Sequence, residues 1–167
     1  RGLGDVYKRQ GYDGLPEGSF HCDDAYFNRF WEKGLRTLYV NMRDTYFDCP
    51  DRERAQWWGD VTVLMGECFY TYSTRVHNLM RKGIMELCAF QNDAGIIHSP
   101  IPGNYDAELP AQMLASIGLY GFWNYYMNTA DTATIREVYP AVCRYLDVWK
   151  IEPGGLTAVS YTHLRAH

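Results

Sequence analysis

The stretch between residues 41 and 60 concentrates the side chains that could do chemistry. Carboxylates and arginines alternate there, and two adjacent tryptophans, Trp57 and Trp58, follow them. A carboxylate beside an arginine keeps a low pKa, whereas a carboxyl group set against an indole ring has its pKa raised. A carboxylic acid with a raised pKa can protonate the departing oxygen during hydrolysis of a glycoside. Glu53, four residues before Trp57, is the candidate for that role.

The same stretch has a second interpretation. A charge-rich loop before a helix is usually a solvated surface with local ion pairs. Tryptophan also fills protein cores. From these residues alone, the catalytic interpretation and the solvated-loop interpretation both stay open.

The residue order in this stretch forms a specific motif, Asp48-Cys49-Pro50-x-Arg52-Glu53-Arg54 followed by Trp57-x-Gly59-Asp60. This motif resembles the signature of glycoside hydrolase family 78, the bacterial α-L-rhamnosidases. Residues 41–45 and 108–112 also resemble the catalytic domain of that family. The resemblance covers the chain from about residue 11 to residue 158.

The resemblance implies a role for each matched position. Glu53 corresponds to the general acid of the family. Asp48 and Asp60 would bind the sugar hydroxyls. Trp57 would form a wall of the pocket that receives the rhamnose ring, and Arg52 would contact the sugar or form a structural ion pair.

Two positions depart from the family pattern. Trp58 stands where the family more often has a small residue, and we expect its ring to narrow the substrate pocket. Tyr105 stands in a loop where related enzymes carry a tryptophan platform, and we predict it as a further sugar contact.

The mechanism that the resemblance implies is hydrolysis with inversion. Glu53 would protonate the glycosidic oxygen while a second carboxylate, about 6.5–9.5 Å away, activates a water molecule on the opposite face of the ring. In the family that base is a glutamate far downstream, so we expect it beyond the end of this chain and expect the chain alone to be inactive. The scheme requires no cofactor and no metal. Its partners would be a rhamnose-containing carbohydrate and the remainder of the same chain.

Helices must position this segment. Apolar residues recur at spacings of three and four in five stretches, which predict about five helices. These stretches are residues 24–42, 59–70, 73–90, 109–127 and 131–149. Alternation of β-branched residues is nearly absent, so the predicted class is all-α, built from antiparallel hairpins with short loops.

Local signals mark the ends of these helices. Asp23 or Asp24 is expected to cap the first helix and Asp131 the fifth. Pro110 occupies the first turn of the fourth helix, where proline is tolerated. Pro140 is expected to kink or restart the fifth helix.

The resemblance implies that these helices are part of an (α/α)6 toroid, a ring of six helical hairpins. About five helices correspond to some two and a half of those hairpins. Apolar faces that pack on the other hairpins would then be exposed, and we expect the isolated chain to aggregate.

The composition excludes several classes of protein. Hydrophobic residues make up 47% and charged residues 22% of the 167 residues, and the net charge of −4 argues against a nucleic-acid partner. No apolar stretch approaches the roughly 18 residues of a membrane span. Five scattered cysteines predict small buried side chains and no disulfide framework. The spacing of His21, His77 and His98 does not resemble a metal site.

Both ends of the sequence look foreign to the protein. Residues 5–10 resemble a translated sequencing-library adapter, and residues 159–164 resemble the same adapter read from the opposite strand. We therefore predict that residues 1–10 and 159–167 are artefacts and that residues 11–158 are a fragment of a catalytic domain.

Two other functions fit the helical pattern. Another six-hairpin carbohydrate-active enzyme, such as a glucoamylase-like enzyme or a uronyl hydrolase, would share the helices without the motif around Glu53. A non-catalytic α-helical interaction scaffold would carry the motif only as a charged loop.

Overall fold

A computed structural model describes residues 11–102 and 108–155 of the chain. The described part is helical and contains no β-strand, which confirms the predicted all-α class. Its α-helices are α1 (Ala25–Val40), α2 (Trp58–Thr71), α3 (His77–Ala89), α4 (Pro110–Ile117), α5 (Asn124–Thr129) and α6 (Thr132–Asp147).

Three helices begin where the sequence predicts. The Asp24 carboxylate caps α1 by accepting the N–H of Tyr26 at 2.7 Å. The Asp131 carboxylate caps α6 by accepting the N–H of Thr134 at 3.0 Å. Pro110 is the first residue of α4, where its missing N–H would have had no helical partner.

The single helix predicted over residues 109–127 is wrong, because a π-helical segment, Leu119–Trp123, separates α4 from α5. The backbone leaves the helical conformation at Gly118, with φ −97° and ψ −130°. Gly121 then passes so close to Ser116 that a Cβ atom would lie 1.9 Å from the Ser116 carbonyl oxygen. Only glycine fits at that approach, so the interruption depends on it.

Of the two outcomes expected at Pro140, the restart is wrong, because α6 runs through this residue without a break, and the kink stays a prediction. Proline removes the hydrogen bond that an N–H would give to the carbonyl four residues earlier, that of Arg136. Both residues are exposed, so water can bind the freed carbonyl.

The core is organised around α2. This helix packs on α1, α4, α5 and the π-helical segment, while α3 packs on α6. The largest fully buried side chains include Trp58, Tyr46, Tyr125, Leu38, Met42, Met65 and Met80. Burying each such side chain stabilises the fold by about 1.5–3 kcal/mol. None of the helices in the described ranges is long and apolar enough to cross a membrane.

Apolar surface is exposed to solvent in two places in the described part, on α1 and beside α6. On α1, Tyr26, Phe27 and Phe30 are each at least half exposed, and Leu38 is the buried residue of that helix. Trp31 and Leu35 on the same helix are half-buried, so α1 covers only part of its apolar surface by packing on α2. Apolar grooves of about 510 Å³ beside α6 and about 230 Å³ between α1 and α2 continue these open faces.

Candidate active site

The residues predicted to act in catalysis lie in residues 41–57, the loop between α1 and α2, and at the start of α2. Gln56 fixes the end of this loop. Its amide NH2 group donates to the Ile101 carbonyl at 2.9 Å and to the Glu86 carboxylate at 3.2 Å. Its side-chain oxygen accepts a hydrogen bond from the Thr45 hydroxyl. Because this buried amide has partners at both ends, displacing it would leave polar groups unpaired.

Trp58 anchors the start of α2 in the core. Its side chain is fully buried, and its ring packs edge-to-face on Phe122 with the ring centroids 5.8 Å apart. The backbone N–H of Trp58 donates to the hydroxyl of Ser99 at 2.9 Å. The predicted role of Trp58 in the substrate pocket is therefore wrong, because a fully buried indole presents no surface to a sugar.

Residues 48–55 form a closed turn. The Asp48 N–H donates to the Ala55 carbonyl, and the Asp48 carboxylate accepts the Ala55 N–H, both at 3.0 Å. Arg54 has a left-handed backbone, with φ +49°, and its guanidinium donates to the Pro50 carbonyl at 3.0 Å. One oxygen of Asp48, a predicted sugar ligand, is thus engaged in closing the turn.

Glu53 lies inside this turn with a side chain that is 22% exposed. Its Oε1 atom forms an ion pair with Arg52, whose side chain is 85% exposed. Its Oε2 atom accepts a hydrogen bond from the Cys49 thiol at 3.0 Å. Both carboxylate oxygens therefore have partners within the turn itself.

These contacts lower the pKa of Glu53 to about 2, and the hydrogen bond from Arg52 is the largest cause, followed by that from Cys49. The sequence predicted the opposite, a pKa raised by an indole ring. That prediction is wrong in this structure, because the guanidinium of the preceding residue reaches the carboxylate and stabilises its charged form. In this state Glu53 is ionised at neutral pH.

Asp60, the third residue of α2, has its pKa raised. The largest cause is partial burial, followed by the negative charge of Asp48, and Glu53 acts in the same direction. Side-chain atoms of Asp48 and Glu53 lie within 4.8 Å of each other in the turn that precedes α2. The charges of both raise the pKa of Asp60 in the first turn of that helix.

The remaining predicted residues differ in their placement. Trp57 is partly exposed and immediately precedes α2, where its N–H donates to the Ala55 carbonyl at 3.0 Å. Its role as a pocket wall stays a prediction. Arg52 forms the ion pair with Glu53 that was one of its two predicted roles. Tyr105 lies outside the described residues.

One oxygen or sulfur atom from each of Asp48, Cys49 and Glu53 lies within 4.8 Å of the others, a spacing that could suit a metal ion. Each of these groups already has a protein partner, and the Glu53 carboxylate is neutralised by Arg52. We therefore attribute their closeness to the hydrogen bond between Cys49 and Glu53.

Sequence reasoning missed Gln56, Ser99 and Cys49 as parts of this site. Gln56 and Ser99 make contacts with residues more than 40 positions away, and no local pattern identifies such partners. Cys49 offered a signal, because it lies four residues before Glu53 within the motif.

Comparison with known proteins decides the family. Residues 16–162 match the family model described as the bacterial α-L-rhamnosidase six-hairpin glycosidase domain. This chain belongs to that family. The resemblance seen in the sequence is thereby confirmed.

Solved structures confirm the fold. A family 78 rhamnosidase of Bacillus sp. GL1 superposes with a TM-score of 0.76 at 24% identity, over 87% of this chain and 15% of that one. A rhamnosidase from Klebsiella oxytoca, solved with rhamnose bound, superposes with a TM-score of 0.70 at 18% identity, over 87% of this chain and 29% of that one. The six-hairpin architecture predicted for the chain is therefore confirmed.

The chain spans only a small part of its relatives. It is 25% identical to an α-L-rhamnosidase of Formosa agariphila over 74% of this chain, but that match covers 14% of the relative. The foreign origin of residues 1–10 and 159–167 stays a prediction. The family match begins after the first of these segments and includes the first four residues of the second.

Proposed function

We propose that this chain carries the proton-donating half of the active site of an α-L-rhamnosidase that hydrolyses terminal α-L-rhamnosides with inversion. The observation that carries this proposal is the closeness of the Asp48 and Glu53 side chains, within 4.8 Å of each other in the turn that precedes α2, with Asp60 following in the first turn of that helix. Family membership favours it over the other six-hairpin enzymes. A non-catalytic scaffold would not require two carboxylates so close together.

Each residue of the cluster has a role in this proposal. Glu53 is the general acid, and Asp48 and Asp60 bind hydroxyl groups of the sugar. Trp57 offers an apolar wall to the ring, and Arg52 contacts the bound sugar. The rhamnose-bound relative from Klebsiella oxytoca supports this choice of sugar. The base that activates water belongs to the remainder of the catalytic domain, so the chain by itself is inactive.

Glu53 must gain a proton before it can act as an acid. The Arg52 side chain is 85% exposed, and such an ion pair is weak and easily exchanged. When a sugar covers the site, water is excluded and the guanidinium moves to the substrate, and both changes raise the pKa of Glu53.

The decisive experiment compares two isosteric substitutions in the full-length enzyme. Glu53→Gln should lower kcat/KM on phenyl α-L-rhamnoside by about 10²–10⁴-fold, because a phenolate leaves slowly without protonation. Asp51→Asn changes an exposed carboxylate in the same turn and should leave activity within about threefold. Near-normal activity of Glu53→Gln would overturn the assignment. A larger loss in Asp60→Asn than in Glu53→Gln would move the proton donor to Asp60.

Inversion has its own test. Proton NMR of the reaction in progress should show rhamnose released first as the β-anomer, followed by slow mutarotation. Release of the α-anomer would instead indicate a covalent intermediate and retention.

A further inference from the structure

Cys49 contacts Glu53 at two points. Its thiol donates to Oε2 of Glu53 at 3.0 Å, and its sulfur accepts the N–H of Glu53 at 3.3 Å. One sulfur atom therefore holds both the backbone of Glu53 and one end of its side chain. Two fixed points restrict rotation of the carboxylate more than one would.

The two carboxylate oxygens of Glu53 have partners that differ in how easily they exchange with water. Oε1 pairs with Arg52, a long side chain that is 85% exposed, so water and salt compete for it. Oε2 pairs with Cys49, a short, half-buried side chain inside the closed turn. The thiol contact is thus the one that persists when Arg52 moves.

Cys49 differs in its surroundings from two other cysteines of the chain. Cys68 is buried beside Met42 and Tyr46, and burial raises the pKa of both Cys68 and Cys88 to about 12. Those two fit the packing role that the sequence predicted for cysteine. Cys49 instead places its thiol against a carboxylate.

We propose that Cys49 is a positioning residue for proton transfer by Glu53, an inference that rests on the proposed function. The thiol holds Oε2, so Oε1 carries the proton once Arg52 has moved away. That proton passes from Oε1 to the glycosidic oxygen, the bond from this oxygen to the anomeric carbon breaks, and its electron pair stays on the departing oxygen. The S–H group then stabilises the carboxylate left on Glu53, and the sulfur remains a thiol throughout.

The charges around Glu53 explain why a neutral donor suits this position. Arg52 is the basic group that acts on Glu53, and Asp48 and Asp60 are the acidic groups that interact with it. A charged donor stabilises the ionised carboxylate more strongly than a neutral one does. A thiol can therefore orient Glu53 while still allowing it to take up a proton.

The test uses the full-length enzyme and two substrates that differ in their need for an acid. Phenyl α-L-rhamnoside requires protonation of its leaving group, whereas 2,4-dinitrophenyl α-L-rhamnoside does not. Cys49→Ala should lower kcat on the phenyl substrate by about tenfold with KM unchanged, and should lower kcat on the dinitrophenyl substrate by less than about threefold. Cys49→Ser, which keeps a donor and an acceptor, should stay within about threefold on both.

The pH profile gives a second readout. Because Glu53 must be protonated in the substrate complex to act, its pKa in that complex sets the alkaline limb of kcat. Cys49→Ala removes a donor that stabilises the carboxylate, so the alkaline limb should move to higher pH, and Cys49→Ser should restore it.

Equal losses of Cys49→Ala on both substrates, or an unchanged alkaline limb, would overturn the positioning role and leave only a packing role. The ratio of the two activities does not depend on the amount of folded enzyme. Cys49→Val, which keeps an apolar side chain without a donor and leaves no cavity at this position, gives the same ratio if Cys49→Ala does not fold. The proposed function fails separately, through near-normal activity of Glu53→Gln on the phenyl substrate.

Discussion

Glu53 and Asp131 are two carboxylates whose pKa is lowered to about 2 for different reasons. Asp131, between α5 and α6, accepts hydrogen bonds from the hydroxyl and N–H of Thr134 and from the Tyr125 hydroxyl at 2.7 Å. These donors are neutral and are fixed by the fold. Glu53 instead depends most on Arg52, an exposed charged side chain.

The comparison shows that a low pKa does not by itself separate a structural carboxylate from one proposed to act in catalysis. The two carboxylates differ in whether their hydrogen-bond donors can move away. Thr134 is buried and Tyr125 is 1% exposed, so the partners of Asp131 cannot leave without unfolding the corner between α5 and α6. The main partner of Glu53 can leave by a change of side-chain rotamer. An exchangeable donor therefore marks the carboxylate that can change its protonation state during a reaction.

The largest expected effect is on activity, which should fall when Glu53 is replaced but not when Asp131 is replaced. In the full-length enzyme, Glu53→Gln should lose about 10²–10⁴-fold in kcat/KM on phenyl α-L-rhamnoside. Asp131→Ala should keep kcat within about threefold per folded molecule, because Asp131 acts on the helix corner. Steady-state kinetics with the folded fraction measured by circular dichroism would check this. Comparable losses in both variants would break the distinction.

The effect on stability should be larger for Asp131 than for Glu53, the reverse of the effect on activity. Asp131→Ala removes the cap of α6 and should cost about 0.5–2 kcal/mol of local stability, which is about 2–30-fold faster hydrogen exchange of amides in the first turn of α6. Asp147→Ala, at the other end of the same helix, should not accelerate exchange there. Unchanged exchange in Asp131→Ala would show that Thr134 and Tyr125 hold the corner without the carboxylate.

Acid should weaken the same corner. The pKa of Asp131 is lower in the folded chain, so its stabilisation is present above its unfolded pKa, about 3.9, and is lost as the pH falls towards 2. Hydrogen exchange corrected for its intrinsic pH dependence should show the first turn of α6 losing protection between about pH 4 and pH 2. The Asp131→Ala variant should show a flat profile over that range.

The smallest expected effect concerns Arg52. Removing the guanidinium in Arg52→Gln destabilises the charged form of Glu53, so the alkaline limb of kcat/KM should move to higher pH by less than about one unit. Adding salt should move the limb of the wild-type enzyme in the same direction, because an exposed pair is screened. Insensitivity to both changes would show that Arg52 has already left Glu53 in the working enzyme.

Local sequence signals were sufficient for much of the fold. Asp24, Asp131 and Pro110 act through the few residues next to them, so their positions could be predicted without knowledge of the packing. The motif from Asp48 to Asp60 also contained Asp48 and Glu53, whose side-chain atoms lie within 4.8 Å of each other in the structure.

The errors arose where packing at a distance decides the outcome. The apolar periodicity continues past Gly118, and only the close approach of Gly121 to Ser116 shows that the helix must break. Sequence proximity suggested an indole partner for Glu53, but the side chains of Arg52 and Cys49 reach it instead. Adjacent tryptophans look alike in the sequence, yet Trp58 is fully buried.

The Gln56 amide has a consequence for redesign of this enzyme. Through one side chain it joins the loop between α1 and α2, helix α3 and the backbone at Ile101. A substitution there would loosen three segments at once, whatever it did to substrate preference. Variants designed to accept other aglycones should therefore change exposed positions of the turn and keep Gln56 with its hydrogen bonds.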